Sequence, residues 1–197
     1  MSILHAESEH LLNAVLGLLE RKGIVRPEEI TERIASTDQA SPARGAAMVA
    51  RAWTDAGFRA RMLADGTMAA EEMGIPMRGL PPLGVLENTK QTHHLVVCTL
   101  CSCYPRAVLG YPPFWFKSAA YRARAVRDPR GLLTEWGTSL PEAMQLRVVD
   151  STADYRWMVL PMRPDGTEGW SDEQLAALVR EGDMIGVTIP GVGANKS

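Results

Sequence analysis

An α+β fold with a helical arm in front of it is what this sequence predicts, and three observations carry the expectation. Up to about residue 73 the apolar residues recur at helical spacing, and no strand pattern interrupts them. Residues 74–84 then hold three prolines and three glycines, the composition of a loop and the best boundary in the chain. Beyond it the period changes, and short apolar runs replace the long stripes. The expected division is therefore an arm over 1–80 and a mixed domain over 81–197. At 197 residues the chain is long enough for one sizeable core plus an extended arm.

In the arm, Leu11, Leu12, Val15, Leu16, Leu18 and Leu19 share one helical spacing, and Gly23 is a natural stop. A second helix starts at Pro27, suited to a first helical position, with Glu28 and Glu29 at the positive end of the dipole. A third takes Ser41 as N-cap and Pro42 as its first residue, then runs through Met48, Val49 and Trp53. Phe58, Met62 and Leu63 continue its face. Such an arm either wraps a partner subunit or folds as a layer on its own core. Past the loop, residues 84–87 and 94–98 read as strands, the second a continuous apolar run ending at cysteine. Residues 145–150 and 155–160 are two more, around a turn at 151–154. Pro129 opens a helix through Leu132, Leu133 and Trp136 that Gly137 closes. Ser171, Asp172, Glu173 and Gln174 form a capping box for a helix through Leu175, Leu178 and Val179. Residues 184–189 are expected as a closing strand.

Composition narrows the function classes. A net charge of −2 argues against nucleic acid as the main partner. The basic run Lys117, Arg122, Arg124, Arg127 and Arg130 is interleaved with apolar residues, which suits structural or intersubunit pairing. No stretch approaches the roughly 20 apolar residues of a membrane span. The first ten residues lack the basic start of a signal peptide, and together with reduced thiols this points to the cytoplasm.

All three cysteines sit in one hexapeptide, Cys98-Thr99-Leu100-Cys101-Ser102-Cys103. Thiols this close suggest one soft metal held by sulfur and by the backbone between the sulfurs. A zinc site would need a fourth ligand. His93 and His94 on the approaching strand are the nearest candidates, and alternation aims them at opposite faces; His5 and His10 lie in the arm. An iron–sulfur cluster wants four cysteines, and a redox C-x-x-C needs no third thiol. A metal-free cysteine nucleophile would need a histidine and an orienting partner, yet no histidine follows residue 94.

The run Val97-Cys98-Thr99-Leu100-Cys101-Ser102-Cys103 resembles the metal claw of nitrile hydratase alpha subunits. Glu87-Asn88-Thr89, Val108-Leu109-Gly110 with Pro112-Pro113, and Tyr121-Arg122-Ala123-Arg124 resemble that family too. So do Ala52-Trp53 with Asp55, Val159-Leu160-Pro161 with Arg163-Pro164, and Gly166-Thr167-Glu168-Gly169, so the likeness covers about residues 10–190. It implies a layered α-β-β-α domain over 81–197 that binds metal and carries catalysis. By resemblance Cys98 is the axial thiolate. Cys101 and Cys103 are equatorial sulfur ligands, and the backbone nitrogens of Ser102 and Cys103 complete the set. The family oxidises the cysteine matching Cys101 to sulfinate and the one matching Cys103 to sulfenate. Members with threonine after the first cysteine carry cobalt, so Thr99 implies one Co(III) per chain; iron and adventitious zinc are the alternatives. Such a centre would polarise a nitrile or acidify water, or the Cys103 sulfenate oxygen would attack the nitrile carbon. Cys103 and Ser102 are thereby the implied catalytic residues and the amide the product. The implied partners are beta-type subunits, whose arginines hold the oxidised cysteines, a cobalt-delivering activator, and a small-molecule nitrile, with no nucleic acid and no membrane.

Two departures bear on substrate. Where most members carry a tryptophan after the Tyr-Pro that follows the claw, this chain has Arg106, after Tyr104 and Pro105. The family's pocket glutamine is replaced by the neighbourhood Met77-Arg78-Gly79-Leu80. Tyr104 and Arg106 are thus the candidate substrate-pocket residues, and a polar or anionic substrate is expected. A nucleoside nitrile such as toyocamycin fits that description. The alternatives are a thiocyanate hydrolase gamma subunit, which shares the claw and handles a small anion, and a non-catalytic metal-binding assembly subunit. Asp150 and Asp154 read as turn and pairing residues, and Trp115, Trp136, Trp157 and Trp170 as core or interface.

Overall fold

The structure, a computed structural model, describes residues 3–191, without the side chains of residues 3–9, 36 and 37. The ends of the expected arm and domain, residues 1–2 and 192–197, lie outside the described residues. The chain divides into two compact units, one up to Gln39 and one from Ala40 onward. The expected boundary at residue 80 falls inside the second unit.

The first unit holds α1 (Ile3–Arg21) and α2 (Pro27–Asp38). Gly23, at φ 65°, supplies the left-handed turn that ends the first helix. Glu29 fixes the start of the second by accepting from the Arg26 backbone nitrogen at 3.0 Å and pairing with its guanidinium at 2.7 Å. Leu11, Leu12, Val15 and Leu18 form an apolar stripe that stays largely exposed.

In the second unit the helical face expected to run on from Ser41 to Leu63 is divided between two helices, α3 (Pro42–Thr54) and α4 (Ala56–Ala64), and α5 (Gly66–Glu72) follows them. The reason is two aspartates. Asp55 closes α3 in extended backbone and accepts from the Phe58 nitrogen at 2.9 Å to cap α4. Asp65 repeats this between α4 and α5, accepting from the Met68 nitrogen at 3.0 Å. An N-cap aspartate is worth about 1 kcal/mol, enough to reset the axis while keeping Met48, Val49, Phe58 and Met62 in one core. Glu72 then ties the three together, pairing with Arg51 at 2.6 Å and Arg61 at 3.0 Å. Ser41 precedes α3 in extended backbone but makes no side-chain cap bond.

Four strands follow the boundary loop: β1 (Leu83–Glu87), β2 (Thr92–Val97), β3 (Gln145–Asp150) and β4 (Arg156–Leu160). They pair in parallel as β1 with β4 and β2 with β3. Parallel pairs need long crossovers, which here are α6 (Arg106–Leu109), α7 (Phe114–Lys117), α8 (Ala119–Arg127) and α9 (Pro129–Glu135). Helices α4 and α5 lie on β1, β4 touches β2, and α8 and α9 lie on β2 and β3. The sum is an α-β-β-α stack. Leu95, Val96 and Val97 are fully buried in it, as are Met158 and Val159. A buried side chain of this kind contributes about 1.5–3 kcal/mol.

The basic run is structural at three positions. Arg124 pairs with Glu135 and Asp128, Arg130 donates to the carbonyls of Leu140, Pro141 and Met144, and Arg122 serves the cysteine loop. The Ser171 capping box forms as expected on α10 (Asp172–Ala176), which stops before Leu178. The closing strand expected at 184–189 is absent. A 3-10 turn spans Glu181–Met184, and Gly186 follows at φ 86°, where a Cβ would lie 1.9 Å from the His94 carbonyl oxygen. Only one ladder-like bond survives, from the Val96 nitrogen to the Ile185 oxygen at 2.9 Å.

Candidate metal centre

Strand β2 aims the cysteine loop, and its end is pinned from three sides. The Tyr121 hydroxyl donates to the Val96 oxygen at 2.6 Å. The Ser151 nitrogen donates to the Val97 oxygen at 2.7 Å, just past the point where Val97 pairs with Asp150. Asp150, at the end of β3, then accepts from both the Thr99 nitrogen, at 3.0 Å, and the Thr99 hydroxyl, at 2.5 Å. Arg122 on α8 donates to the carbonyls of Leu100, at 3.0 Å, and Thr99, at 3.4 Å. The loop therefore turns back on itself and brings its sulfurs together.

The three Sγ atoms lie within 4.8 Å of one another, the only cluster of metal-ligating side chains among the described residues. Cys98 and Cys101 are 3.5 Å apart, Cys101 and Cys103 3.2 Å. With metal–thiolate bonds of about 2.3 Å, those separations subtend about 90–100° at a shared ion, whereas a tetrahedral ion would spread them to about 3.8 Å. These two separations thus suit right-angled coordination at a shared ion better than tetrahedral coordination. Cys98 and Cys103 are buried and Cys101 is exposed. Hydrogen bonds from Cys103 and then Cys98 hold the Cys101 thiol below its ordinary range. Burial, with the neighbouring thiols, pushes Cys103 up to about 12, and the charge of Arg156 opposes the rise.

A cavity of about 340 Å³ opens over Cys101, Ser102 and Cys103. Met77, Leu80, Pro81, Leu83 and Val108 give it apolar walls, and Tyr104, Arg106 and Arg156 are its polar side chains besides the loop. The Tyr104 hydroxyl donates to Glu181 at 2.5 Å, and the ring packs edge-on to Phe116. Burial raises Tyr104 well above the ordinary phenol range, and raises Glu181 as well. Arg106 is exposed and lies 5.3 Å over the Tyr111 ring.

The two histidines offered as zinc ligands are engaged elsewhere. Asn88 donates its amide to His93 Nδ1 at 3.1 Å, and His93 Nε2 donates to the Gly186 oxygen at 2.8 Å. The Asn88 oxygen accepts from the His94 nitrogen at 2.8 Å and from its Nδ1 at 3.2 Å. One set of neutral tautomers satisfies every bond. Burial lowers both imidazoles below their ordinary range. The side chain of His5 lies outside the described residues.

A profile of the nitrile hydratase alpha chain matches residues 6–188. The chain belongs to that family. It is 47% identical over 181 residues to the low-molecular weight cobalt-containing nitrile hydratase subunit alpha of Rhodococcus rhodochrous, covering 91% of this chain and 87% of the relative. Among solved structures it is similar to a double mutant of the Fe-type nitrile hydratase from Comamonas testosteroni Ni1, with a TM-score of 0.80 and 39% identity, covering 95% of this chain and 92% of that one. It is similar also to a recombinant thiocyanate hydrolase with partially modified cobalt centres, with a TM-score of 0.85 and 37% identity over 98% and 92%. No helix among the described residues is long and apolar enough to cross a membrane.

Of the residues expected at the site of this nitrile hydratase alpha chain, Cys98, Cys101, Ser102 and Cys103 come together, and Tyr104 and Arg106 line the same cavity. Sequence reading missed Asp150, Arg122, Arg156 and Glu181. The parallel pairing of β2 with β3 was the one signal for Asp150, since it brings the strand ends together.

Proposed function

We propose that this chain is the metal-bearing subunit of a nitrile hydratase that hydrates a nitrile to its amide, with one cobalt(III) held by Cys98, Cys101, Cys103 and the backbone nitrogens of Ser102 and Cys103. The observation that carries this reading is the close convergence of three sulfurs, two of which, those of Cys101 and Cys103, line a largely apolar cavity. Bound there, the trivalent ion would supply a Lewis acid. The chain's own residues do the rest. Asp150, through Thr99, and Arg122, through the Leu100 carbonyl, hold the loop in its turn-back. Cys103, buried at the cavity wall, carries the sulfenate oxygen in the reading that gives it a catalytic part, and Cys101 remains a ligand as sulfinate. Met77, Leu80 and Leu83 exclude bulk water from the nitrile. The Tyr104 hydroxyl is committed to Glu181, so this residue contributes its ring as a wall. The walls offer few partners for the hydroxyls and ring nitrogens of a nucleoside, so a toyocamycin-like substrate is not part of this reading. The exposed stripe of Leu11, Leu12, Val15 and Leu18 is the surface on which a beta-type partner would close.

Arg106 favours a second reading, because a cation on the cavity rim suits thiocyanate. Elemental analysis with intact mass tests the first. One cobalt per chain with a gain of three oxygens is expected; zinc with unmodified thiols overturns it. The product then separates the two, an amide from a nitrile against carbonyl sulfide from thiocyanate. The isolated chain should turn over poorly until mixed with its beta-type partner, and full activity alone would remove the partner from the reading.

A further inference from the structure

Arg156 opens β4, and its position is rigidly set. It pairs in register with Leu83, and its backbone nitrogen donates to the Pro82 oxygen at 2.9 Å. Its side chain reaches the cavity wall beside Cys103, close enough for its charge to act on that sulfur. Its Nη1 is buried and has no hydrogen-bond partner. Among the described residues no carboxylate pairs with this guanidinium, and no acidic side chain lines the cavity. Arg156 as a whole is half-buried, but a donor shut away from water without an acceptor is costly, and a ligand that brings an acceptor would relieve it. Of the arginines placed nearby, Arg122 also has an unpartnered Nε but spends its Nη1 on the loop carbonyls, away from the cavity, and Arg124 is paired with Glu135 and Asp128.

We propose that Arg156 is a positioning residue for the claw, whose free Nη1 donates to the oxygen that oxidation places on the Cys103 sulfur, so that this chain holds its own sulfenate before any partner's arginine arrives. The inference rests on the nitrile hydratase reading for its acceptor. Charge-assisted N–H···O bonds are short and strong, and the anion would relieve the unpaired donor as the donor shields the anion. The alternative fate of a sulfenate beside free thiols is condensation to a disulfide, and Cys101 lies 3.2 Å away. Holding the oxygen on Arg156 turns it away from that attack. With peroxide as oxidant the step balances: the Cys103 thiolate attacks one peroxide oxygen, the O–O bond breaks, hydroxide leaves, and the sulfenic proton passes to it to give water and sulfenate. The sulfur loses two electrons and the peroxide gains them.

The test compares wild type with Arg156→Gln and Arg156→Lys in two arms. In the metal-free full chain carrying Cys101→Ser, which removes the exposed thiol held below its ordinary range and so the first to be oxidised, a brief peroxide pulse is followed by dimedone trapping and peptide mass mapping. With Arg156 in place this chain should accumulate trapped sulfenate on Cys103, while Arg156→Gln should shift at least about tenfold, the range of outer-sphere effects, towards a disulfide with Cys98, whose sulfur lies within 4.8 Å. Arg156→Lys, keeping the charge without the planar fork, should fall between. A Gln variant that partitions as the chain with Arg156 does overturns the proposal, as does a chain with Arg156 that yields only disulfide. In the second arm the chain is loaded with cobalt in its complex. Arg156→Gln should keep its cobalt but lose the Cys103 oxygen from the mass, and an unchanged mass overturns the proposal. Should even wild type take up no cobalt, the nitrile hydratase reading fails while the peroxide arm still decides the role of Arg156. Circular dichroism of each variant separates a lost bond from a lost fold. Arg156→Gln is polar and uncharged, so it leaves no buried charge behind.

Discussion

Strand β2 carries a candidate ligand cluster at each end, and the two could hardly be treated more differently. At its start, His93 and His94 are closed into a neutral network with Asn88 and Gly186 in which each ring nitrogen that takes part has one partner. At its end, three cysteine sulfurs have mainly one another for company. Both clusters are mostly buried, and both are built from good ligands. The difference lies in unspent bonding capacity: a site is made by ligands that the fold positions and then leaves unsatisfied.

That contrast can be broken or sharpened by experiment. The largest effect is expected at the unsatisfied end. Cys103→Ala should lower nitrile hydration in the cobalt-loaded complex by at least ~10³-fold, as loss of a reacting group does. An active Cys103→Ala enzyme would make the claw a structural device. Next, Asp150→Ala frees both polar atoms of Thr99, and cobalt retention on dialysis against a chelator should fall by about 10–100-fold. A variant that keeps its metal would show that the loop is held by Arg122 alone. At the satisfied end, Asn88→Ala strands two buried imidazoles and should cost about 2–3 kcal/mol of stability. That is about 5–10 °C in Tm for a chain this size, with cobalt stoichiometry unchanged in the folded fraction. Metal loss at unchanged Tm would instead join the two ends into one site.

The smallest effect is the pH dependence of the same network. Burial holds both histidines below their ordinary range, so on acidification the unfolded chain takes up protons first. Their stabilising contribution is therefore full above about 6.5 and is lost as pH falls below it towards the folded values. Tm should decline over that window before the carboxylates titrate, and the decline should flatten in a double His93→Gln, His94→Gln variant. A flat wild-type profile would mean that the histidines carry charge in the fold.

How much of this could be read without coordinates depended on the range of the interaction. The cysteine cluster was legible because its three members lie within six residues, and the strands 145–150 and 155–160 because their apolar content is local. The break at Asp55 was missed because the helical stripe runs through it, and a cap shows itself only once both flanking helices are known. The closing strand failed at Gly186, where the His94 carbonyl stands in the path of any side chain. Asp150 read as a turn and pairing residue, and Arg156 as one more position of the strand 155–160. Their meaning comes from parallel pairings with strands far upstream, which no local pattern announces.

Thr99 reaches Asp150 across 51 positions, and this separation orders events in the life of the chain. During synthesis the cysteines emerge long before the carboxylate that clasps their loop, and before the β3 strand on which β2 closes. Closing such a distant pairing is slow and comes late in folding. For that interval the hexapeptide is an open thiol peptide, and the fixed arrangement of the three sulfurs does not yet exist. Selective capture of the ion is thus a property of the nearly finished polypeptide, and truncations ending before residue 150 should hold cobalt no better than a short cysteine peptide would.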